Sequence, residues 1–329
     1  MTEARRGEVI VVLGAYNGAR YISQQIESIR AQSFRDWRLL IRDDHSADET
    51  VEIVRRISAA DPRLSLIDDS TSNIGPWASF GRLLSQAYEE GAEYVFLSDQ
   101  DDVWLEDKME KQLSLLRAAN DKRPALVHSD LVLVNENLER IHDSFSEFQR
   151  TSYDKADPLG TLLIHNAVVG CTIAVNRSLL DLALPLPADT MHDWWLAACA
   201  AAGGTIQRTV QPTVLYRQHS SNVVGVEHRH LFLRHLARHP LSYTADALRT
   251  FAVGVKQARE LRERIRSTPT IDRDVVRRVE RYCDAFADNT SVVQRLKALT
   301  ASRPRPRRTT SKIILRALAA IYPFAIKHP

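Results

Sequence analysis

Three short polar clusters stand at the ends of β-branched runs: Tyr16-Asn17-Gly18, Asp43-Asp44 and Asp99-Gln100-Asp101-Asp102. In an open α/β sheet, ligands bind beyond the carboxyl ends of the strands, where loops are free to hold functional groups. The third cluster is the most informative. Carboxylates two residues apart at a strand end can point into one loop cavity and share a hard divalent cation such as Mg2+ or Mn2+. Such an ion would neutralise a diphosphate and stabilise it as a leaving group. The plainer alternative is a solvated acidic turn capping the next helix, and the cluster alone does not choose between them. No GxGxxG follows the first run and no GxxxxGK[ST] occurs anywhere. Dinucleotide-binding and P-loop readings therefore lose their main support.

The elements that must position these clusters alternate in type, which predicts an α/β domain with a largely parallel sheet over residues 1–225. Val9 to Leu13 reads as a buried strand, and Tyr21, Ile22, Gln25, Ile26 and Ile29 then fall at helical spacing. Leu39 to Arg42 is a second strand. It runs into a loop whose Ser46 and Asp48 are candidate caps for a helix holding Val51, Ile53, Val54 and Ile57. Leu64 to Ile67 and Tyr94 to Leu97 supply further strands, with a helix between them that ends near Glu90 and another beginning near Glu106. Beyond these, Ala125 to Asn135 reads as one or two strands and residues 140–160 as a polar connection. A strand over 170–176, a short helix from Arg177, an apolar helix over 192–201 and a closing strand over 214–219 follow.

The chain has 329 residues, enough to bury a substantial core, and its 44% hydrophobic and 26% charged residues argue against wholesale disorder. Its net charge of +3 conceals an asymmetry. Residues 1–225 carry 22 basic and 32 acidic side chains, a net of −10, whereas residues 226–329 carry 22 and 9, a net of +13. The acidic part needs a cation to approach a phosphorylated substrate, and the basic part suits an anionic surface. Cys171, Cys199 and Cys283 form no CxxC pair, which disfavours a disulfide scaffold or a zinc ribbon. The first apolar run is too short for a membrane span and carries no secretory cleavage pattern, so a cytoplasmic setting is expected.

Three blocks in order, AYNGARYISQQIESIRAQSF, IRDDHSADET and FLSDQDDVWLEDKMEKQ, resemble the inverting family-2 glycosyltransferases of GT-A fold. The later blocks NAVVGCTIAVNRSLL, MHDWWLA and YRQHSSNVVG are similar to the bacterial rhamnosyltransferase-like branch. The resemblance spans residues 8–225 and implies a GT-A, Rossmann-like mixed sheet flanked by helices, followed by a basic, mostly helical extension over 226–329. It implies that Ala15, Tyr16 and Asn17 hold the nucleoside, with Asp44 as partner of the pyrimidine N3–H and Asp43 beside it. The DxD of the family falls on Asp99 and Asp101. Asp101 would be the direct metal ligand and Asp99 would contact the ribose or the ion, while Trp104 packs beneath the loop. Asp193 takes the place of the catalytic base, which accepts the proton of an acceptor hydroxyl. His192 replaces a residue that is most often Glu, leaving it a second-shell orienter, an acceptor contact or a satisfied helix-start histidine. Trp194 and Trp195 offer flat faces to a sugar, with core packing as the alternative. In the last block, His219 is a borderline metal ligand beside Asp101, and Arg217 a bidentate phosphate clamp. Gly170-Cys171-Thr172 would form a close-packed floor near the donor sugar, Cys171 being an unreactive thiol.

The activity expected from this resemblance is transfer of a sugar from a nucleoside diphosphate to a hydroxyl of a surface polysaccharide or lipid-linked glycan, with Mn2+ or Mg2+ as cofactor. dTDP-L-rhamnose is the preferred donor and a UDP-hexose the alternative. A nucleotidyl- or phosphotransferase would want a basic phosphate loop where this chain has Ala15-Tyr16-Asn17. A non-catalytic glycan-binding protein would not need Asp101, Asp193 and His219 together. The tail carries Arg303, Arg305, Arg307, Arg308, Lys312 and Arg316, then an apolar stripe of Ile313, Ile314, Leu315, Leu318, Ile321 and Phe324. This pattern suits peripheral contact with the anionic inner face of a plasma membrane, with packing on the catalytic domain as the alternative. No nucleic-acid fold accompanies the basic tail, so nucleic acid is not an expected partner.

Overall fold

The computed structural model describes residues 9–67, 72–119, 122–149, 152–188, 190–219, 240–287 and 290–304, together with Leu315 and Ala317; over 240–249 only the backbone is described. A seven-stranded sheet lies at the centre, in the order β10-β6-β9-β4-β1-β2-β3. Its strands are β1 (Val9–Ala15), β2 (Arg38–Asp43), β3 (Leu64–Leu66), β4 (Tyr94–Ser98), β6 (Ala125–His128), β9 (Ala174–Asn176) and β10 (Thr205–Arg208). All neighbours pair in parallel except β9, which runs antiparallel to both β4 and β6. A second, four-stranded sheet joins β5 (Val103–Trp104), β11 (Val214–Arg217), β7 (Leu131–Val134) and β8 (Arg140–His142) in that order.

The alternation along β1 explains the layering, because successive strand side chains point to opposite faces. Ile10 and Val12 enter one apolar cluster with Leu40, Val95 and Leu97. Val9, Val11 and Leu13 enter the other with Leu39, Ile41 and Phe96. The second face is covered by Ile22, Ile26 and Ile29 of α1 (Ile22–Arg30), Val54 of α2 (Thr50–Ala60) and Met109, Leu113 and Leu116 of α4 (Lys108–Ala118). The first is covered by Phe80, Leu83 and Leu84 of α3 (Pro76–Glu89), by α7 (Arg177–Ala183) and by α8 (His192–Gly203). Two short helices, α5 (Phe145–Phe148) and α6 (Pro158–Leu162), lie in the connection expected to be merely polar.

The C-terminal extension packs on this second layer. Its helices are α9 (Pro240–Arg266), α10 (Arg273–Asp284) and α11 (Val292–Ala301). Phe251, Val255, Leu261, Val279, Tyr282 and Phe286 join the cluster that holds α8. Polar groups lock the joint: Arg264 donates to the carbonyls of Leu182 and Pro185 at 2.9 and 2.8 Å, and Arg278 pairs with Asp157 at 2.6 Å. Leu315, from the apolar stripe of the tail, is 4% exposed in the same cluster, so at this position packing on the catalytic layer is the observed outcome. The remaining stripe residues and Arg305, Arg307, Arg308, Lys312 and Arg316 lie outside the described residues, as do Ser220 to Gly225 of the YRQHSSNVVG block. Among the described residues no helix is long and apolar enough to cross a membrane.

Candidate active site

β1 lies between β2 and β4, with Ala15 opposite Asp43 and Leu13 opposite Ser98, so the three expected clusters emerge side by side. Side chains then knit the loops together. Gln100 holds the Tyr16 peptide from both ends, accepting its N–H at 2.7 Å and donating to its carbonyl at 2.8 Å. A Cβ on Gly18 would lie 2.2 Å from Gln100 Oε1, so a side chain there would displace the glutamine amide. Its N–H donates to Thr50 Oγ1 at 2.8 Å. Asn17, in the left-handed region at φ 48°, donates its N–H to Ser46 Oγ and accepts from the Ala47 N–H, both at 2.8 Å. Ser46 is therefore a loop tie and not a helix cap; α2 starts at Thr50, and Glu49 before it makes no side-chain cap. Asp48 serves the helix entry by accepting the Thr50 N–H at 3.1 Å, and it also receives the Ala19 N–H at 3.0 Å. The Tyr16 ring stands half-exposed above this seam.

The two aspartates at the end of β2 have different surroundings. Asp44 is 4% exposed and both its oxygens are engaged: Oδ1 by Arg42 at 2.7 Å and the Ile74 N–H at 2.9 Å, Oδ2 by the Gly75 N–H at 2.7 Å. It anchors the loop over 73–75 and is not available as the pyrimidine partner. Asp43 is the partly exposed carboxylate, held through the Ser46 N–H at 2.8 Å.

The Asp99–Asp102 run sits among groups distant in sequence. Asp101 Oδ2 and His219 Nε2 are 2.9 Å apart, and the His219 ring stacks on Tyr21 at 4.9 Å. Asp99, Asp102 and Cys171 place ligand atoms within 4.8 Å of one another. This crowding has electrostatic consequences. Burial, then the Asp101 and Asp193 charges, raise the Asp99 carboxyl to about 7. Asp102 is pushed up too, by burial and then by Asp101 and Asp99. It is 0% exposed, and its Oδ2 has no hydrogen-bond partner. Beneath it, burial lowers the Lys108 ammonium to about 7 against the pull of Cys171 and Asp102. The lysine donates to Gln112 Oε1 at 2.7 Å and to the Thr172 carbonyl at 3.3 Å. Burial drives the Cys171 thiol up, in keeping with an inert sulfur. Like charges crowded at strand ends favour a cation, and oxygen ligands with one imidazole suit Mn2+ or Mg2+.

Arg217 departs from expectation. Its side chain is 2% exposed and its donors go to the Asp101 carbonyl at 2.8 Å, Gln24 Oε1 at 2.6 Å and the Glu136 carbonyl. It braces the acidic loop from below and is not a phosphate clamp. Trp194 and Trp195 are corrected in the same way. They are 1% and 0% exposed, and their indole N–H groups donate to the carbonyls of Leu162 at 2.6 Å and Ala183 at 2.9 Å. No tryptophan face is left for a sugar, because α9 covers this helix. A Cβ on Gly254 would lie 2.6 Å from the Trp194 ring.

Asp193 lies in the first turn of α8, partly exposed, with Oδ1 accepting the Trp194 N–H at 2.7 Å. A Cβ on Gly170 would lie 3.6 Å from Asp193 Cβ, and the neighbouring Cys171 stands with Asp99 and Asp102, so the base candidate lies next to the acidic cluster. His192 stacks on Phe80 at 4.1 Å and neither ring nitrogen has a hydrogen-bond partner among the described residues, unlike a satisfied helix-start histidine. Burial lowers its pKa, which keeps the ring neutral. The turn over Gly170–Thr172 is buried, as a close-packed floor requires; a Cβ on Gly170 would lie 2.9 Å from His192 Nε2. Trp104 packs beneath the acidic loop at 3% exposure. Sequence reasoning missed Gln100 as a clamp and Lys108 as the buried counter-charge. The one available signal was a glutamine between two aspartates, which is uninformative until Tyr16 is known to lie opposite.

The sequence pattern of the family described as Glycosyl transferase family 2 matches residues 10–181. The chain belongs to this family. It is 29% identical over 222 residues to the dTDP-rhamnosyl transferase RfbG of Shigella flexneri, covering 65% of this chain and 73% of the relative. It is 30% identical over 174 residues to the UDP-Glc:alpha-D-GlcNAc-diphosphoundecaprenol beta-1,3-glucosyltransferase WfgD of Escherichia coli, covering 53% and 62%. Among solved structures, S. aureus TarS superposes with a TM-score of 0.57 at 16% identity over 97% of this chain and 53% of that one. TarS 1-349 in complex with UDP-GlcNAc gives 0.52 at 17% identity over 90% and 89%. The transferase thus has the GT-A fold, and the strand ends described above lie in its family-matched half.

Proposed function

We propose that this glycosyltransferase inverts configuration at the sugar it transfers, using Asp193 as base and a divalent cation at the acidic cluster. One observation carries the reading. Gly170 packs against Asp193, and the next residue, Cys171, lies within 4.8 Å of the carboxylates of Asp99 and Asp102, so the base candidate and the acidic cluster flank one turn. Asp101 and His219, with Asp99 beside them, are the residues that would hold Mn2+ or Mg2+, which when bound neutralises a departing diphosphate. The Tyr16 loop and Asp43 hold the nucleoside, and Asp43 takes the role of accepting the pyrimidine N3–H. Asp193 accepts the proton of the acceptor hydroxyl as that oxygen bonds to the anomeric carbon. The bond from that carbon to the diphosphate breaks, and its electron pair leaves with the diphosphate.

dTDP-L-rhamnose is the donor we favour, on the name of the Shigella relative; the Escherichia coli relative keeps UDP-glucose as the alternative. A hydroxyl of a surface polysaccharide or lipid-linked glycan is the acceptor class. The enzyme would work in the cytoplasm, peripherally at the anionic inner face of the plasma membrane through its basic tail. Purified full-length protein should hydrolyse one nucleotide sugar of a panel slowly, with Mn2+ or Mg2+ present and not with EDTA. Metal-independent turnover, or no binding of any pyrimidine nucleoside diphosphate, would overturn the proposal.

A further inference from the structure

A cavity of about 90 Å3 opens where β6 of the main sheet passes into β7 of the second sheet, outside the donor site described above. Its base is Asp130, which accepts hydrogen bonds from the Leu131 and Ser146 N–H groups, the hydroxyls of Ser144 and Ser146, and Arg208. Those partners keep it ionised and balance its charge. Arg208 uses Nη2 for this contact, at 2.7 Å to Asp130 and 2.9 Å to Ser146 Oγ; Nε and Nη1 have no partner among the described residues. Lys155, also unpaired among them, stands exposed at the rim. His128 lines the wall as a neutral ring, because burial and then the Arg208 charge lower it to about 4. Its Nε2 meets the Tyr153 hydroxyl at 3.0 Å. With Asp130 cancelled by Arg208, the ammonium of Lys155 is the net charge of a cavity whose wall mixes hydroxyls with the apolar Leu131, Phe145, Ala167 and Val169.

Two links place this cavity beside the catalytic cleft. Val169 in its wall precedes Gly170, which lies against His192 and Asp193. Phe145 in its wall meets Tyr216 edge-on at 5.9 Å, and Tyr216 feels the charges of Asp102 and Asp99. None of Asp99, Asp101 and Asp102 lines the cavity, so it is not the subsite of the donor diphosphate.

We propose that this cavity binds an oxyanion, phosphate or carboxylate, carried by the acceptor, and so selects an acidic glycan or a phosphorylated acceptor. The inference rests on the reading of Asp193 as the base that receives the acceptor. Arg208 Nε and Nη1 and the Lys155 ammonium supply charged donors, and the Tyr153 hydroxyl adds a third where the His128 proton sits on Nε2, a set that matches an oxyanion held by charge-assisted hydrogen bonds. In a domain half carrying a net of −10, an oxyanion would find little attraction away from such a spot.

The test is calorimetric titration of the full chain, first saturated with a nucleoside diphosphate and Mg2+, with inorganic phosphate and separately with glucuronate. Saturation is verified beforehand, and failure there counts against the proposed donor site, not against this cavity. One phosphate or glucuronate site is expected, weakened tenfold or more by Lys155→Glu and severalfold by Tyr153→Phe, with nucleotide affinity unchanged in both variants. Phosphate binding alone would point to a phosphorylated acceptor, glucuronate binding alone to a uronate-containing glycan. Binding of neither probe, or binding indifferent to both substitutions, overturns the proposal.

Discussion

Replacing Gly18 with alanine tests whether the Gln100 clamp organises the nucleotide end of the site. The added methyl would sit 2.2 Å from Oε1, 2.5 Å from Cδ and 3.2 Å from Cγ of Gln100. Backbone conformation presents no obstacle, since Gly18 is not among the residues with positive φ. The amide end of Gln100 is the flexible party and must swing away, losing both hydrogen bonds to Tyr16. At about 0.5–1.5 kcal/mol net for each, the loss is about 1–3 kcal/mol. If the clamp serves to pre-form the loop for ligand, that loss reappears as roughly 5- to 150-fold weaker nucleoside diphosphate binding. Gln100→Ala should weaken binding by a similar factor. The decisive measurement is the double variant by calorimetry, because truncating Gln100 removes the three atoms nearest the alanine at 18. Gly18→Ala should then add less than about 0.5 kcal/mol to the loss already caused by Gln100→Ala. Additive losses would refute the clamp, and so would wild-type affinity in the single variants.

Asp193→Asn keeps the shape of the side chain and removes the proton acceptor; turnover should fall about 10²–10⁴-fold while donor affinity stays nearly constant, as steady-state kinetics and calorimetry will read. Leu315→Ala removes a side chain buried at 4% exposure beside α8, and urea denaturation should report a loss of about 2–4 kcal/mol; an unchanged midpoint would put this segment outside the core. His128 has its pKa lowered from 6.5 to about 4, so below pH 6.5 the unfolded chain binds the proton that the folded chain refuses. Stability should therefore fall as pH drops from 6.5 through about 4, and His128→Gln should flatten that slope in urea midpoints measured across the window.

Much of this protein is written locally. A continuous run of β-branched residues marks β1 as a strand with two apolar faces, and the spacing of Ile22, Ile26 and Ile29 gives α1 one apolar stripe. The parallel strand ends bearing Tyr16, Asp43 and Asp99 follow from the order of those elements, so the place of the site was legible, as were the family resemblance and the pairing of Asp101 with His219. What a polar side chain does at such a place was not. Asp43 and Asp44 are chemically identical, and only the loop over 73–75, folded back on the second of them, commits it to backbone N–H groups. Arg217 looks like a phosphate ligand until Gln24, Glu136 and the Asp101 carbonyl, all remote in sequence, take its donors. The stretch from Ala125 to Asn135 reads as one or two strands, and only strand pairing shows that its two halves enter different sheets, while β10, only four residues long, pairs through a partner 80 residues away. The tryptophans of α8 show the same physics in the apolar direction. A helix apolar on every side must be buried on every side. The helical extension that covers its outer face begins in a part of the chain whose composition speaks of charge, and its contribution to the core appears only when Gly254 lies against Trp194.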